Sequence, residues 1–266
     1  MIKNKIGLEA EFLVQNDKGE LVFPGEFGMP VDDFKILAEC RGAPGENVWE
    51  TISLFQREMA RLRSIARKAD LQIVIGEGWR SINPKLYAEV LRKSAASKLE
   101  SLNSKPEIES LVGEDLNDFS DQELDGDGRV KGMKISCGLH IHFSSEEVFE
   151  RKVEREELEA VNIPLSLGGG LDAAFHLFRK KGWVCQEILT ARASRITRPA
   201  IQHIVASLDK SVHPRFVSGP ALRHRRPGLI RKKPYGFEYR SLPFSDAVYQ
   251  NIEPITESAF ALLGDL

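Results

Sequence analysis

The sequence predicts an α+β protein in which a single sheet carries one polar and one apolar face. Two observations lead there. Four short segments set polar, ligand-type side chains two positions apart within otherwise apolar runs: Ile6-Gly7-Leu8-Glu9-Ala10-Glu11-Phe12, Leu37-Ala38-Glu39-Cys40-Arg41, Ser136-Cys137-Gly138-Leu139-His140-Ile141-His142-Phe143 and Tyr235-Gly236-Phe237-Glu238-Tyr239-Arg240. Residues i and i+2 of a strand share a face, so Glu9 and Glu11 oppose Leu8, Ala10 and Phe12, while His140 and His142 oppose Leu139, Ile141 and Phe143. The second observation is an amphipathic helix. Between Val48 and Ala69, the residues Ile52, Phe55, Met59, Leu62, Ile65 and Ala66 recur at helical spacing, with Arg57, Arg61, Arg63, Arg67 and Lys68 largely outside that stripe.

Along the chain, Glu9 to Val14 forms the first strand, Asn16-Asp17-Lys18-Gly19 turns it, and Leu21-Val22-Phe23 returns as the second arm of a hairpin. A Pro/Gly-rich loop from Pro24 to Pro30 leads to a third strand, Phe34 to Arg41, stopped by Gly42-Ala43-Pro44-Gly45. After the helix, Leu71 to Ile75 reads as a buried strand broken by Gly76-Glu77-Gly78-Trp79. Tyr87 to Asp127 holds many charges and few strand formers, which predicts one or two short helices and an exposed loop. Asp125-Gly126-Asp127-Gly128 reads as a turn, because a calcium loop opening at Asp125 needs a glutamate where Ser136 stands. Ser144-Ser145-Glu146-Glu147 offers a helix start. Gly168-Gly169-Gly170 is a flexible connection into a helix from Leu171 to Lys180, and Arg192, Arg195 and Arg198 are spaced to line one helix face. Ile252 to Leu263 packs as a terminal helix.

A chain of 266 residues can bury a sizeable core, and one domain spanning 1–266 is the expectation, with a variable charged insertion over 87–130. Hydrophobic residues make up 42% and mean hydropathy is -0.27, values of a globular protein in water. No run approaches the roughly 18 apolar residues that a membrane span needs. The N-terminus enters a strand pattern without an apolar leader, so a cytoplasmic location is expected. The three cysteines, Cys40, Cys137 and Cys185, are widely spaced and read as buried free thiols. Net charge is only -2, but Glu100 to Asp127 is acidic and Arg215 to Lys233 basic. That balance excludes bulk affinity for nucleic acid and leaves room for a local anionic site.

A sheet that turned Glu9, Glu11, Glu39, Glu238 and His140 into one concavity would bury several carboxylates together. Mutual repulsion and desolvation oppose this unless cations neutralise them, so the arrangement asks for a divalent metal. The alternative is an ordinary solvated sheet face. The basic stretch Arg215, Arg223, His224, Arg225, Arg226, Arg231, Lys232 and Lys233 runs directly into the Glu238 strand. From it, Arg231 and Lys233 would meet phosphate groups, the alternatives being a solvated loop or an RNA-contacting surface.

Gly7-Leu8-Glu9-Ala10-Glu11-Phe12, Gly138-Leu139-His140-Ile141-His142 and Tyr235-Gly236-Phe237-Glu238-Tyr239-Arg240 stand in the order of three motifs of the carboxylate–amine ligase superfamily that includes glutamine synthetase and glutamate–cysteine ligase. The chain resembles that superfamily, with the closer similarity to the phage-type COOH–NH2 ligases. The resemblance implies a curved antiparallel sheet, a half-barrel flanked by helices in a glutamine-synthetase-like catalytic fold. It implies ATP and Mg2+ or Mn2+ as cofactors, with a small-molecule or peptide carboxylate and an amine as substrates. By similarity, Glu9, His140 and Glu238 would share one metal ion and Glu11 and Glu39 would help hold another. His142 would lie near the nucleotide phosphates, with Arg240 near the transferred phosphoryl group or the substrate carboxylate and Arg41 in a similar role. Competing readings are a metal-dependent hydrolase using the same Glu/His cluster and a non-catalytic nucleic-acid-binding protein.

Overall fold

Strand β1 (Ile2–Gln15) organises the molecule because both of its edges are paired. Along one edge it lies antiparallel to β8 (Gly138–Val153), and Glu9 to Phe12 also pair antiparallel with β2 (Ala38–Arg41). On the far side of β8 comes β12 (Gly236–Pro243), then β11 (Leu229–Lys233) and β5 (Ile108–Ser110), giving an open antiparallel order β2-β1-β8-β12-β11-β5. The second half of β8 pairs with β10 (Glu187–Ser194), which pairs with β9 (Leu171–His176), and the end of β1 pairs with β3 (Gln72–Val74). A separate small sheet has the order β4-β7-β6, from Glu77–Ser81, Val130–Ser136 and Gln122–Leu124. This computed structural model describes residues 2–31, 36–81, 108–110, 122–124, 130–153, 171–176, 187–194, 196–217, 225–233 and 235–265.

One face of the large sheet is apolar, as the alternation demands. Ile6, Leu8, Ala10 and Phe12 of β1, Leu139, Ile141 and Phe143 of β8, and Phe237, Tyr239 and Leu242 of β12 are all buried. Phe143 and Phe237 are direct cross-strand partners and stack with ring centroids 4.7 Å apart. Helices cover this face: α1 (Val48–Lys68) and α5 (Ile252–Gly264) lie on β1, and α2 (Arg198–Ser211) and α3 (His213–Phe216) lie against β12. The short α4 (Asp246–Gln250) precedes α5. Helix α1 starts where expected. Asn47 Oδ1 accepts from the Glu50 amide at 2.9 Å, and Glu50 Oε2 accepts from the Glu46 amide at 2.7 Å, satisfying two otherwise unpaired donors. Its buried stripe is Thr51, Phe55, Met59, Leu62 and Ala66, and Thr51 Oγ1 donates to the Ile6 carbonyl at 3.1 Å, tying helix to sheet. No helix among the described residues is long and apolar enough to cross a membrane.

Several expectations change. The hairpin arm Leu21-Val22-Phe23 shrinks to a single bridge between Gln15 and Leu21, after which Pro24–Phe27 forms a 3-10 turn inside the expected loop. The third strand begins at Ala38, with 32–35 outside the described residues. Ser144-Ser145-Glu146-Glu147 does not start a helix: β8 continues through it, held extended by β1 on one side and β10 on the other. Leu171–His176 is likewise strand, not helix, because β10 supplies its backbone partners. Arg192 lies in β10 while Arg198 opens α2, so they share no helix face, and Arg195 is outside the described residues. Within the charged segment, Ile108–Ser110 and Gln122–Leu124 are strands on the edges of β11 and β7. The remaining helices expected there, the Asp125–Gly128 turn, Gly168–Gly170 and Cys185 lie outside the described residues. Cys40 and Cys137 are buried free thiols, as expected.

The three-ring contact of Phe55 with Phe244 and Tyr249, centroids 6.3 and 6.5 Å away, seats α1 on the sheet. Phe55→Ala is expected to lower the free energy of unfolding by about 3 to 5 kcal/mol. Arg57→Ala on the outer face should change it by less than about 0.5 kcal/mol. Urea unfolding of both variants checks the pair, and equal midpoints would contradict this packing.

Candidate metal and anion site

The opposite face of the same strands gathers the polar residues, and strand register explains how. Glu9 lies between Arg41 on β2 and His140 on β8; Glu11 lies opposite Glu39; His142 lies between Gly7 and Glu238, and Glu238 faces Arg231 on β11. Between Tyr239 and Leu242 the register of β12 slips, so Arg240 and Ser241 together face His140. This bulge lets Glu238 and Arg240 share the polar face while Leu242 returns to the apolar one.

Glu9, His142 and Glu238 each present one ligand atom, and these atoms all lie within 4.8 Å of one another. Buried Glu238 Oε2 and His142 Nε2 have no hydrogen-bond partner. His142 Nε2 points at Glu9 Oε2 from 3.5 Å, and its other ring nitrogen is hydrogen-bonded to the Tyr235 hydroxyl at 2.7 Å. Burial, and then the charges of Glu238 and Glu9, push the Tyr235 phenol well above its usual range, so it keeps its proton at neutral pH. Two carboxylate oxygens and one imidazole nitrogen, two of them buried without hydrogen bonds, are a donor set that fits Mg2+ or Mn2+.

The trio contains His142 where the resemblance puts His140. His140 is fully buried, with Nδ1 3.1 Å from Glu9 Oε1, 3.3 Å from Glu238 Oε1 and 3.4 Å from Arg240 Nη1. Burial, then Arg240, lowers its pKa against the pull of the carboxylates. Burial alone would raise Glu9, but the hydrogen bond with His140 and the electrostatic pull of His140 and His142 outweigh it and hold that carboxyl well below the usual range. For Glu238, burial is outweighed by His140 and Arg240, which bring it down to about 2. Glu11 is also lowered, burial being outweighed by His140, Arg225 and Arg240.

The site holds a second means of neutralisation beside any metal. Arg41 pairs with Glu9 at 3.3 Å and with Glu39; Arg225 pairs with Glu11 at 3.0 Å. Arg231 and Lys233 reach Glu238 at 3.8 and 3.3 Å, and Arg240 pairs with Glu238 and, at 3.8 Å, with Glu11. These five cations outnumber the four carboxylates. Buried carboxylates therefore do not by themselves require a metal, because arginine and lysine already serve them.

All ten residues singled out in the sequence, Glu9, Glu11, Glu39, Arg41, His140, His142, Arg231, Lys233, Glu238 and Arg240, fall on adjoining strands β1, β2, β8, β11 and β12. Two further participants were not singled out. Tyr235 heads the Glu238 strand motif but was given no role of its own, and Arg225 is one arginine in a basic run with nothing local to mark it. Gly138 was the available clue. A side chain there would meet the guanidinium of Arg225, its Cβ coming within 2.6 Å of Arg225 Cζ. Compared with protein-family models, curated proteins and solved structures, the chain matches none of them.

Glu39 supplies a stability test. Burial and the neighbouring Glu9 charge outweigh Arg41 and push its carboxyl up to about 7, against an unfolded value of 4.5. The folded state then holds an extra proton between those values, so stability falls as pH rises from 4.5 to 7. In chelator, wild type should lose about 1 to 3 kcal/mol relative to Glu39→Gln across that window. A pH-independent difference between the two would contradict it.

Proposed function

We propose that this chain is an ATP- and divalent-metal-dependent carboxylate–amine ligase that makes an amide or peptide-like bond through an acyl phosphate, on a glutamine-synthetase-like fold. The observation that carries the reading is the convergence of Glu9, His142 and Glu238 within 4.8 Å inside a ring of arginine and lysine. Two kinds of ligand are needed to use both halves of such a site, a cation for the carboxylates and an anion for the guanidinium groups. A metal–nucleotide complex provides both at once.

Joining a carboxylate to an amine requires one carboxylate oxygen to become a leaving group, and phosphorylation accomplishes this. Bound metal supplies charge neutralisation between the phosphates and the attacking carboxylate. Glu9, His142 and Glu238 would hold one ion, and Glu11, opposite Glu39, would contribute to a second position. Arg231, Lys233 and Arg41 are the cations available to phosphate oxygens, because their side chains keep 23%, 24% and 62% exposure while touching the carboxylates. The exchange of partners costs little electrostatically: carboxylates pass from arginine and lysine to the metal, and the freed cations pass to phosphate. Arg240, nearly buried beside Glu238, is placed to stabilise charge on the migrating phosphoryl group with a planar fork that lysine lacks. His140, fully buried, orients Glu9 and Glu238 through its Nδ1 contacts with both.

Calorimetry of ATP binding tests the pairing of metal and nucleotide. Affinity should be at least about tenfold higher with Mg2+ than in excess chelator, because Glu9 and Glu238 repel bare triphosphate. Equal affinities would remove the electrostatic basis of the proposal. Glu238→Gln and His142→Ala should abolish the metal dependence while leaving the fold intact.

Chemistry is tested by an 18O-labelled carboxylate in a screen of amino acids, di-acids and amines. Label should pass into inorganic phosphate, and Arg240→Lys should slow turnover by ~10²-fold with a smaller effect on ATP affinity. Label found in AMP or water, with none in phosphate, would favour adenylation or metal-dependent hydrolysis.

A further inference from the structure

We propose that Arg225 is a positioning residue: it restricts Glu11 to one free oxygen and anchors the bulge from which Arg240 reaches Glu238. It has left the basic run altogether. Its guanidinium is buried and spends its donors on four internal acceptors, Glu11 Oε2 at 3.0 Å, the Ser136 carbonyl at 3.0 Å, Ser136 Oγ at 3.3 Å and the Arg240 carbonyl at 3.3 Å. A phosphate arriving at the site would have to break these contacts to reach it.

Two neighbours are shaped around this arginine. Gly138 has no side chain, and any Cβ there would occupy the space of the guanidinium. From the apolar side, His213, itself buried, donates through Nε2 to the Arg225 carbonyl at 2.7 Å and so fixes its backbone. On Glu11, the Arg225 Nη2 donor and the Gly138 amide, each 3.0 Å away, both take Oε2. Oε1 is the oxygen that remains toward the site, 3.7 Å from His140 Nε2 and 3.8 Å from Arg240 Nη2. Glu11 can therefore give a cation one oxygen, in one fixed direction. Lysine at 225 cannot do this, because a single ammonium cannot span Glu11 and two separate carbonyls.

The purpose given to this arrangement rests on the metal-binding reading above, whereas the Arg225–Glu11 pairing stands apart from it, and two measurements separate them. Thermal unfolding without metal follows Arg225→Met, Glu11→Gln and the double variant. Arg225→Met strands a buried carboxylate, so adding Glu11→Gln should raise its melting temperature, although Glu11→Gln alone should not stabilise wild type. A double variant that melts no higher than Arg225→Met would overturn the pairing, and the double variant still reports if Arg225→Met alone does not fold.

Mn2+ binding, followed by the EPR signal of the free ion, then reads the positioning. Arg225→Lys and Glu11→Gln should each weaken Mn2+ binding about 10- to 100-fold, the usual effect of losing a ligand's supporting partner. Arg225→Lys/Glu11→Gln should bind no worse than the weaker single variant, within about threefold. Wild-type affinity in Arg225→Lys, or losses that multiply in the double variant, would overturn the positioning role. Absence of Mn2+ binding by wild type would overturn the metal reading itself and with it the purpose given to Arg225, leaving the unfolding result to decide the pairing.

Discussion

Four carboxylates buried on one face of a sheet would repel one another and lose hydration, and the polar half of this structure is arranged around offsetting that cost. Each carboxylate has a cation from an adjoining element: Arg41 on β2 for Glu9 and Glu39, Arg225 for Glu11, and Arg231, Lys233 and Arg240 for Glu238. The β12 bulge exists on the same account, since it allows Arg240 to stay beside Glu238 without turning Leu242 out of the core. Where a carboxylate has one close partner, as Glu11 has Arg225 at 3.0 Å, removing it would leave a buried charge poorly paired, which is costlier than the pair was worth.

Those ion pairs are a closed arrangement with an opening in it. Glu238 Oε2 has no hydrogen bond and is held only by the ion pairs with Lys233 at 3.3 Å and Arg231 at 3.8 Å, and His142 Nε2 is likewise buried without one; both belong to the trio with Glu9. The cations at that spot are also the ones that keep access to solvent, whereas Arg225 on the other side is locked by Gly138, Ser136 and Arg240. The asymmetry divides the cluster into a side able to exchange partners and a side that holds its shape. On the proposed reading, metal and nucleotide enter at the first, and the second keeps Glu11 and Arg240 aligned for them.

How much of this was readable in the sequence follows from range. Period-2 alternation at Glu9/Glu11, His140/His142 and Glu238/Arg240 is local, and it located these strands and their polar face; that one sheet carries them is seen in the strand pairing. The α1 stripe was equally local. What decided β8 beyond Phe143, and β9 in place of a helix, was pairing with strands far away in sequence, which composition does not record. Which histidine meets Glu9 and Glu238 at the trio depends on strand register and on Arg240, brought against His140 at the bulge. Arg225 reaches Glu11 across 214 positions, and only the bare Gly138 hinted that something large lay against that strand.

On the proposed reading, carboxylates on the polar face exchange arginine and lysine for a metal ion when nucleotide arrives. A crystal structure grown with Mn2+ and a non-hydrolysable ATP analogue, with data collected at the manganese edge, tests it most directly. The account predicts an anomalous peak bonded to Glu9, His142 and Glu238, with Arg231 and Lys233 turned from Glu238 onto phosphate oxygens. Glu238 still paired with Arg231 and Lys233, and no manganese between the three residues at saturating nucleotide, would contradict it.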